Sequence, residues 1–156
     1  MADSKLVLLY ANARGLKSKK LSLIDILGEL QPEIALFTET MLKTQNEIKI
    51  EGYTFFGKSR EKRACGGVGI LIKNDLKGCV IPHETNKDTE LLWVSLRRKN
   101  ATPVFIGVYY GKQESRNSRE EMLLEMNLLS SEIHERKNEG EINDFYGWEW
   151  KNRVIR

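Results

Sequence analysis

Cysteine is scarce: Cys65 and Cys79 are the only thiols among 156 residues. The N-terminus, Met1–Lys5, leads straight into a strand-like run without a small-residue cleavage site, so it does not read as a secretory signal. Two thiols without such a signal point to unpaired cysteines in a reducing compartment, and the chain is expected to be intracellular, nuclear or cytoplasmic. No apolar run approaches the ~20 residues that a membrane span requires, which excludes a spanning helix and, as an expectation, a membrane partner. Internal repeats and low-complexity linkers are also lacking, and the length suits one ordinary domain. Histidine is as rare as cysteine. His83 sits in a Pro-His-Glu loop and His134 on the polar side of an expected helix, so both read as surface residues.

What is present suits a folded protein. Hydrophobic residues make up 40% and charged residues 30%, outside the range of disordered chains. The formal charge is +3 and the pI about 8.8. This mild basicity is compatible with a polyanionic partner and does not specify one.

Along the chain, Lys5–Ala11 is an apolar run of strand length that ends at Asn12, and Ala13-Arg14-Gly15-Leu16 forms a turn. Ser18 is a candidate cap for a helix in which Leu23, Leu27 and Leu30 recur at helical spacing, beside Ile24 and Ile26; Pro32 stops it. Ile34–Phe37, four apolar residues in a row, reads as a strand buried on both faces. Strand, helix and strand over so short a span make a βαβ-like start, which sets Asn12 and Glu39 at the same edge of neighbouring strands. Met41–Glu51 reads as a loop, Tyr53–Phe56 as a short strand and Gly57–Ala64 as a basic loop. The glycines of Gly66-Gly67-Val68-Gly69 run into Ile70-Leu71-Ile72. A phosphate-cradling loop opens a helix, whereas this segment has strand character, so the glycines permit close approach of another backbone or a substrate. Leu91–Leu96 and Val104–Tyr110 are the clearest strand pair, joined by the hairpin-like Arg97–Pro103. Ser118 and Glu121 form a capping box for a second helix with Met122, Met126, Leu129 and Ile133 on one face, and Gly140 is a plausible stop. The aromatic and basic tail after Gly140 has no period.

Glu39 is the focus. Ligands of open α/β sheets sit beyond the carboxyl ends of strands, and a carboxylate near a core costs free energy. The residues alone leave two readings: a functional acid, or the first solvated residue after a strand.

The order of Asn12, a helix, Pro32-Glu33-Ile34-Ala35-Leu36-Phe37-Thr38-Glu39-Thr40, Gly52-Tyr53, Gly66-Gly67-Val68-Gly69-Ile70, Leu91-Leu92-Trp93-Val94 and Val108-Tyr109 resembles the endonuclease/exonuclease/phosphatase superfamily. Within it, the chain is most similar to the apurinic-type endonuclease domain of non-LTR retrotransposons. The resemblance implies an α/β fold: an incomplete four-layer sandwich of the DNase I-like type, with mostly antiparallel sheets and flanking helices, over residues 5–141 and followed by a divergent tail, 142–156. It implies Mg²⁺ as cofactor, DNA as partner and phosphodiester cleavage as activity, with no obligate protein partner. By the same resemblance Glu39 would hold the metal, Asn12 would assist it or touch the phosphate, and Tyr109, or Tyr110 one place on, would contact the phosphate. Arg14 stands where many relatives carry an acid. The family's terminal Ser-Asp-His is missing, and Asn143-Asp144-Phe145-Tyr146 is a worn form of Gly-Asp-Phe-Asn in which Asp144 is a possible relic. The chain is therefore expected to be a C-terminally truncated, inactive endonuclease, with sheet faces left without a partner layer. The alternatives are a non-catalytic nucleic-acid-binding remnant using Lys58, Arg60, Lys62, Arg63, Arg97, Arg98 and the aromatic tail, or a phosphatase of the same superfamily.

Overall fold

The first strand and the first helix build the frame for everything that follows. In the computed structural model, which describes residues 6–60, 65–81, 89–97, 102–111, 118–139 and 141–142, strand β1 (Leu8–Asn12) leads through a 3-10 turn at Lys17–Lys19 into helix α1 (Lys20–Leu30). Strand β2 (Ile34–Thr38) then returns parallel to β1, with Asn12 level with Thr38. Ser18 lies inside the 3-10 turn and its hydroxyl donates to the Gly15 carbonyl at 3.0 Å, so it does not cap α1, whose start has no side-chain cap. The helix ends as expected before Pro32, with Gln31 in the left-handed region and its N–H donating to the Leu27 carbonyl.

Six further strands complete the two sheets among the described residues. β3 (Tyr53–Lys58) and β4 (Val68–Lys73) are antiparallel, and the first sheet has the order β1-β2-β4-β3. β5 (Gly78–Val80), β6 (Glu90–Leu96), β7 (Val104–Tyr110) and β8 (Glu141–Ile142) make the second, in that order. β6 and β7 form the antiparallel pair expected from sequence, and β8 is parallel to β7. The short β5 and β8 escape a sequence reading because two or three residues carry no period.

Alternation along the strands assigns each side chain to a layer. Ile34, Leu36, Val68, Ile70 and Ile72 from the first sheet meet Leu92, Val94, Leu96, Val104, Ile106 and Val108 from the second in the central core. Each such buried aliphatic side chain stabilises the fold by roughly 1.5–3 kcal/mol relative to its exposed state. The inner sheet faces, expected to lack a partner layer, therefore cover one another. Ala35, Phe37 and Leu71 point the other way, onto Leu23 and Leu27 of α1 and onto Leu16, Leu42, Ile48 and Ile50. Met41–Glu51 is thus a loop with one 3-10 turn at Gln45–Glu47 that still supplies three core residues. The outer face of the second sheet, Leu91, Trp93, Phe105 and Tyr109, packs on Leu129 and Ile133 of helix α2 (Arg119–Glu139). The layers run helix, sheet, sheet, helix. Gly107 is required in β7 because a Cβ there would lie 2.7 Å from the Trp93 ring.

Helix α2 opens on the expected reciprocal box: the Ser118 N–H donates to Glu121 Oε2 at 2.9 Å and the Glu121 N–H to Ser118 Oγ at 3.2 Å. Its packed stripe differs from the expected one. Met126 is exposed, while Glu125 is buried beside Leu129, because Glu125 has a hydroxyl partner on the sheet. Most exposed large apolar side chains lie on the helices (Leu21, Ile24, Ile26, Leu30, Leu123, Leu124, Met126), with Val7, Tyr10 of β1 and Met41 beside the first sheet. No described helix is long and apolar enough to cross a membrane. Lys62, Arg63, His83, Arg98, Gly140, Asp144 and the rest of the tail lie outside the described residues.

Candidate active site

The carboxyl ends of the parallel β1 and β2 lie side by side, and the chain leaving them stays paired. The Ala13 N–H donates to the Thr38 carbonyl at 2.8 Å, the Gly15 N–H to the Glu39 carbonyl at 2.9 Å and the Leu16 N–H to the Thr40 carbonyl at 2.9 Å. Asn12 and Glu39 are both half-buried here. Asn12 Oδ1 accepts the Arg14 N–H at 3.2 Å, an Asx-type turn that holds the side chain over the strand end. Four described non-glycine residues have positive φ; three of them, Arg14 (44°), Glu39 (51°) and Met41 (53°), sit in this corner. A left-handed conformation costs a residue with a Cβ roughly 1–2 kcal/mol, and clustered strain of this kind is a mark of functional sites.

A tyrosine from the other sheet closes the corner. The Tyr110 hydroxyl donates to Glu39 Oε1 at 2.6 Å. Tyr109 is placed elsewhere: it sits on the outer face of β7, buried against Leu129, with its hydroxyl hydrogen-bonded to Glu125. Burial, and then the Glu125 and Glu90 carboxylates, push the Tyr109 hydroxyl well above its ordinary pKa near 10. Of the three residues expected from the sequence, Asn12 and Glu39 therefore come together, and the tyrosine that joins them is Tyr110.

Two glycines support the Glu39 turn from below. The Thr40 N–H donates to the Gly67 carbonyl at 3.1 Å and the Met41 N–H to the Gly66 carbonyl at 2.8 Å. Gly66 and Gly67 have φ of 120° and 89°, a backbone that strongly favours glycine. Beneath them lies Glu90, 4% exposed, which accepts hydrogen bonds from the Gly67 N–H and from Arg60. Glu90 went unnoticed in the sequence, although a carboxylate opening the apolar run Leu91–Val94 is a usable signal. Lys58 and Arg60 of the expected basic surface turn inward instead: Lys58 Nζ donates to the Thr89 carbonyl at 2.6 Å and Arg60 pairs with Glu90.

The donor set decides what the corner can hold. No group of three or more His, Cys, Asp or Glu able to hold a metal occurs among the described residues, which leaves out an all-protein cage there. The Glu39 carboxylate and the Asn12 side-chain oxygen are hard donors. They suit Mg²⁺, which commonly takes one or two carboxylates and completes its shell with water and phosphate.

No protein-family model and no curated protein matches the sequence. Solved structures do. The endonuclease domain of TRAS1, a telomere-specific non-LTR retrotransposon, is 18% identical with a TM-score of 0.59, over 82% of this chain and 55% of that one. The catalytic domain of Xenopus laevis APE2 is 15% identical with a TM-score of 0.66, over 88% of this chain and 56% of that one. D. rerio TDP2, complexed with a single-strand DNA product, is 16% identical with a TM-score of 0.65, over 90% of this chain and 59% of that one. This chain shares the fold of these structures. The expected layered, DNase I-like architecture is thus the observed one, and the chain spans between half and three fifths of the length of these structures.

Proposed function

We propose that the corner of Asn12, Glu39 and Tyr110 is a Mg²⁺-assisted phosphodiester site of the DNA endonuclease type, which binds metal and DNA phosphate and, among the described residues, is without a general base for efficient turnover. The observation that carries this reading is the Tyr110 hydroxyl resting on Glu39 at the ends of the parallel β1 and β2. The solved structures of similar fold, one with a DNA product, support DNA as the partner. Glu39 supplies the negative charge for the cation, and the Tyr110 hydrogen bond fixes the rotamer that presents the second carboxylate oxygen. Asn12 would contribute either its side-chain oxygen to the metal or its amide N–H to a phosphate oxygen, and the Tyr110 hydroxyl would be a second hydrogen-bonding group for that phosphate. A bound metal would polarise the phosphoryl oxygen and offset developing charge. The water-activating step requires a general base. Ser-Asp-His is absent from the sequence, and His134 is exposed on α2.

The test combines binding and cleavage. Wild-type protein is expected to bind a short DNA duplex more tightly with Mg²⁺ than with EDTA, to lose that difference on Glu39→Ala, and to nick supercoiled DNA slowly or not at all. Metal-dependent binding or nicking that survives Glu39→Ala would overturn the site. Turnover of phosphate monoesters without DNA binding would favour a phosphatase.

A further inference from the structure

An ion pair between the buried Glu90 and the half-buried Arg60 lies behind the turn of the proposed metal ligand, and nothing in the phosphodiester reading requires it. Glu90 is the first residue of β6 and stands opposite Tyr110 of β7. Directly opposed residues share a face of the sheet, so both side chains point inward toward the first sheet. There they reach the two sides of one turn. Tyr110 holds the Glu39 side chain through its hydroxyl. Glu90 holds the Gly67 N–H, and the Gly66 and Gly67 carbonyls in turn receive the N–H groups of Met41 and Thr40, the two residues after Glu39. Arg60 completes the arrangement: it pairs with Glu90 and also donates to the Cys65 carbonyl at 3.2 Å, next to Gly66. The space is closed. A Cβ on Gly66 would lie 2.5 Å from Glu90 Oε1, and one on Gly67 would lie 2.6 Å from Thr40 Oγ1.

We infer that the Glu90–Arg60 pair is a positioning device for Glu39: it holds the strained Glu39–Met41 turn through Gly66 and Gly67, and so presets the carboxylate for a divalent cation. Three observations converge on this role. A carboxylate only 4% exposed carries a heavy desolvation cost unless it is paired. Its partners are an arginine and the one glycine N–H that leads to the turn. The turn itself holds two residues with positive φ, which relax unless the surroundings restrain them. Glu90 touches neither metal nor phosphate in this scheme, so it is a positioning residue and not a catalytic one.

The inference rests on Glu39 being a metal ligand, and the experiment separates failure of the two ideas. Arg60→Met keeps the apolar stem and removes the charge; Arg60→Lys restores charge without the planar fork; Glu90→Gln keeps the Gly67 acceptor but sets an amide against Arg60. For each folded variant, Mn²⁺ affinity is read from the free-ion EPR signal, and amide hydrogen exchange is read at Thr40 and Met41. Expected are Mn²⁺ binding weakened about tenfold in Arg60→Met and Glu90→Gln, the scale seen when an outer-shell partner of a metal ligand is removed. Arg60→Lys should recover part of that loss, and exchange at Thr40 and Met41 should quicken alongside. Unchanged affinity with unchanged exchange overturns the inference, as does weakened affinity with unchanged exchange. If the wild-type protein binds no Mn²⁺, the metal reading fails. The brace is then judged by exchange alone: quickened exchange confined to Thr40 and Met41 supports it, and unchanged exchange removes it.

Discussion

Tyr109 and Tyr110 differ by one position and by everything that matters to the site. Tyr110 lies between the sheets and its hydroxyl meets Glu39; Tyr109 lies under α2 and meets Glu125. Tyr110→Phe is expected to weaken Mn²⁺ binding several-fold while leaving the urea midpoint nearly unchanged. Tyr109→Phe is expected to leave Mn²⁺ binding alone and to destabilise by about 1–2 kcal/mol, since it strips a partner from a buried carboxylate. Metal titration and urea unfolding on both variants check the contrast, and equal effects in the two assays would erase it. The sequence could not choose between them because β7 is buried on both faces: Val104, Ile106 and Val108 alternate with Phe105, and neither parity is polar. Asn12 and Glu39 were legible for the opposite reason. Each is the first amide or carboxylate side chain after an apolar run, and a strand end is visible in one dimension.

At the scale of elements, the two helix starts make a controlled comparison. Both carry a serine near the N-terminus, but only Ser118 has its reciprocal Glu three residues on, and only Ser118 caps. Ser118→Ala should therefore cost about 1 kcal/mol. Ser18→Ala removes only a hydroxyl within a 3-10 turn and should stay within about 0.5 kcal/mol. Urea denaturation followed by far-UV circular dichroism reads both. The loop Met41–Glu51 is the counterpart on the debit side of sequence reading. Leu42, Ile48 and Ile50 are buried without helical or strand spacing, so their common destination beneath the first sheet is set by the path of the chain and not by a period.

For the molecule as a whole, the layer beneath α2 predicts how stability responds to alkali. The folded state raises the Tyr109 pKa above its ordinary value near 10, so above that pH the unfolded chain has lost a proton that the native one retains. Fewer protons on the unfolded state mean that stability falls as pH rises. The contribution is complete below pH 10 and declines above it until the native hydroxyl itself ionises. Wild-type protein should lose more thermal stability between pH 9 and pH 11 than Tyr109→Phe does, and phenolate absorbance should show one tyrosine titrating late. Parallel loss in both proteins would mean that the Tyr109 hydroxyl is not held in its buried pairing.

Apolar runs, capping residues and turn glycines determine by themselves that this chain forms a βαβ start, a long hairpin and a capped second helix, because each of those is a local preference repeated over neighbouring residues. They also determine that a carboxylate stands at the end of a buried strand. The tertiary structure alone decided which tyrosine faces that carboxylate, that Glu90 lies behind it, and that the basic residues Lys58 and Arg60 turn inward. Those outcomes depend on how two sheets approach one another, and the contacts join residues 30 to 71 positions apart, a distance over which no local pattern carries information.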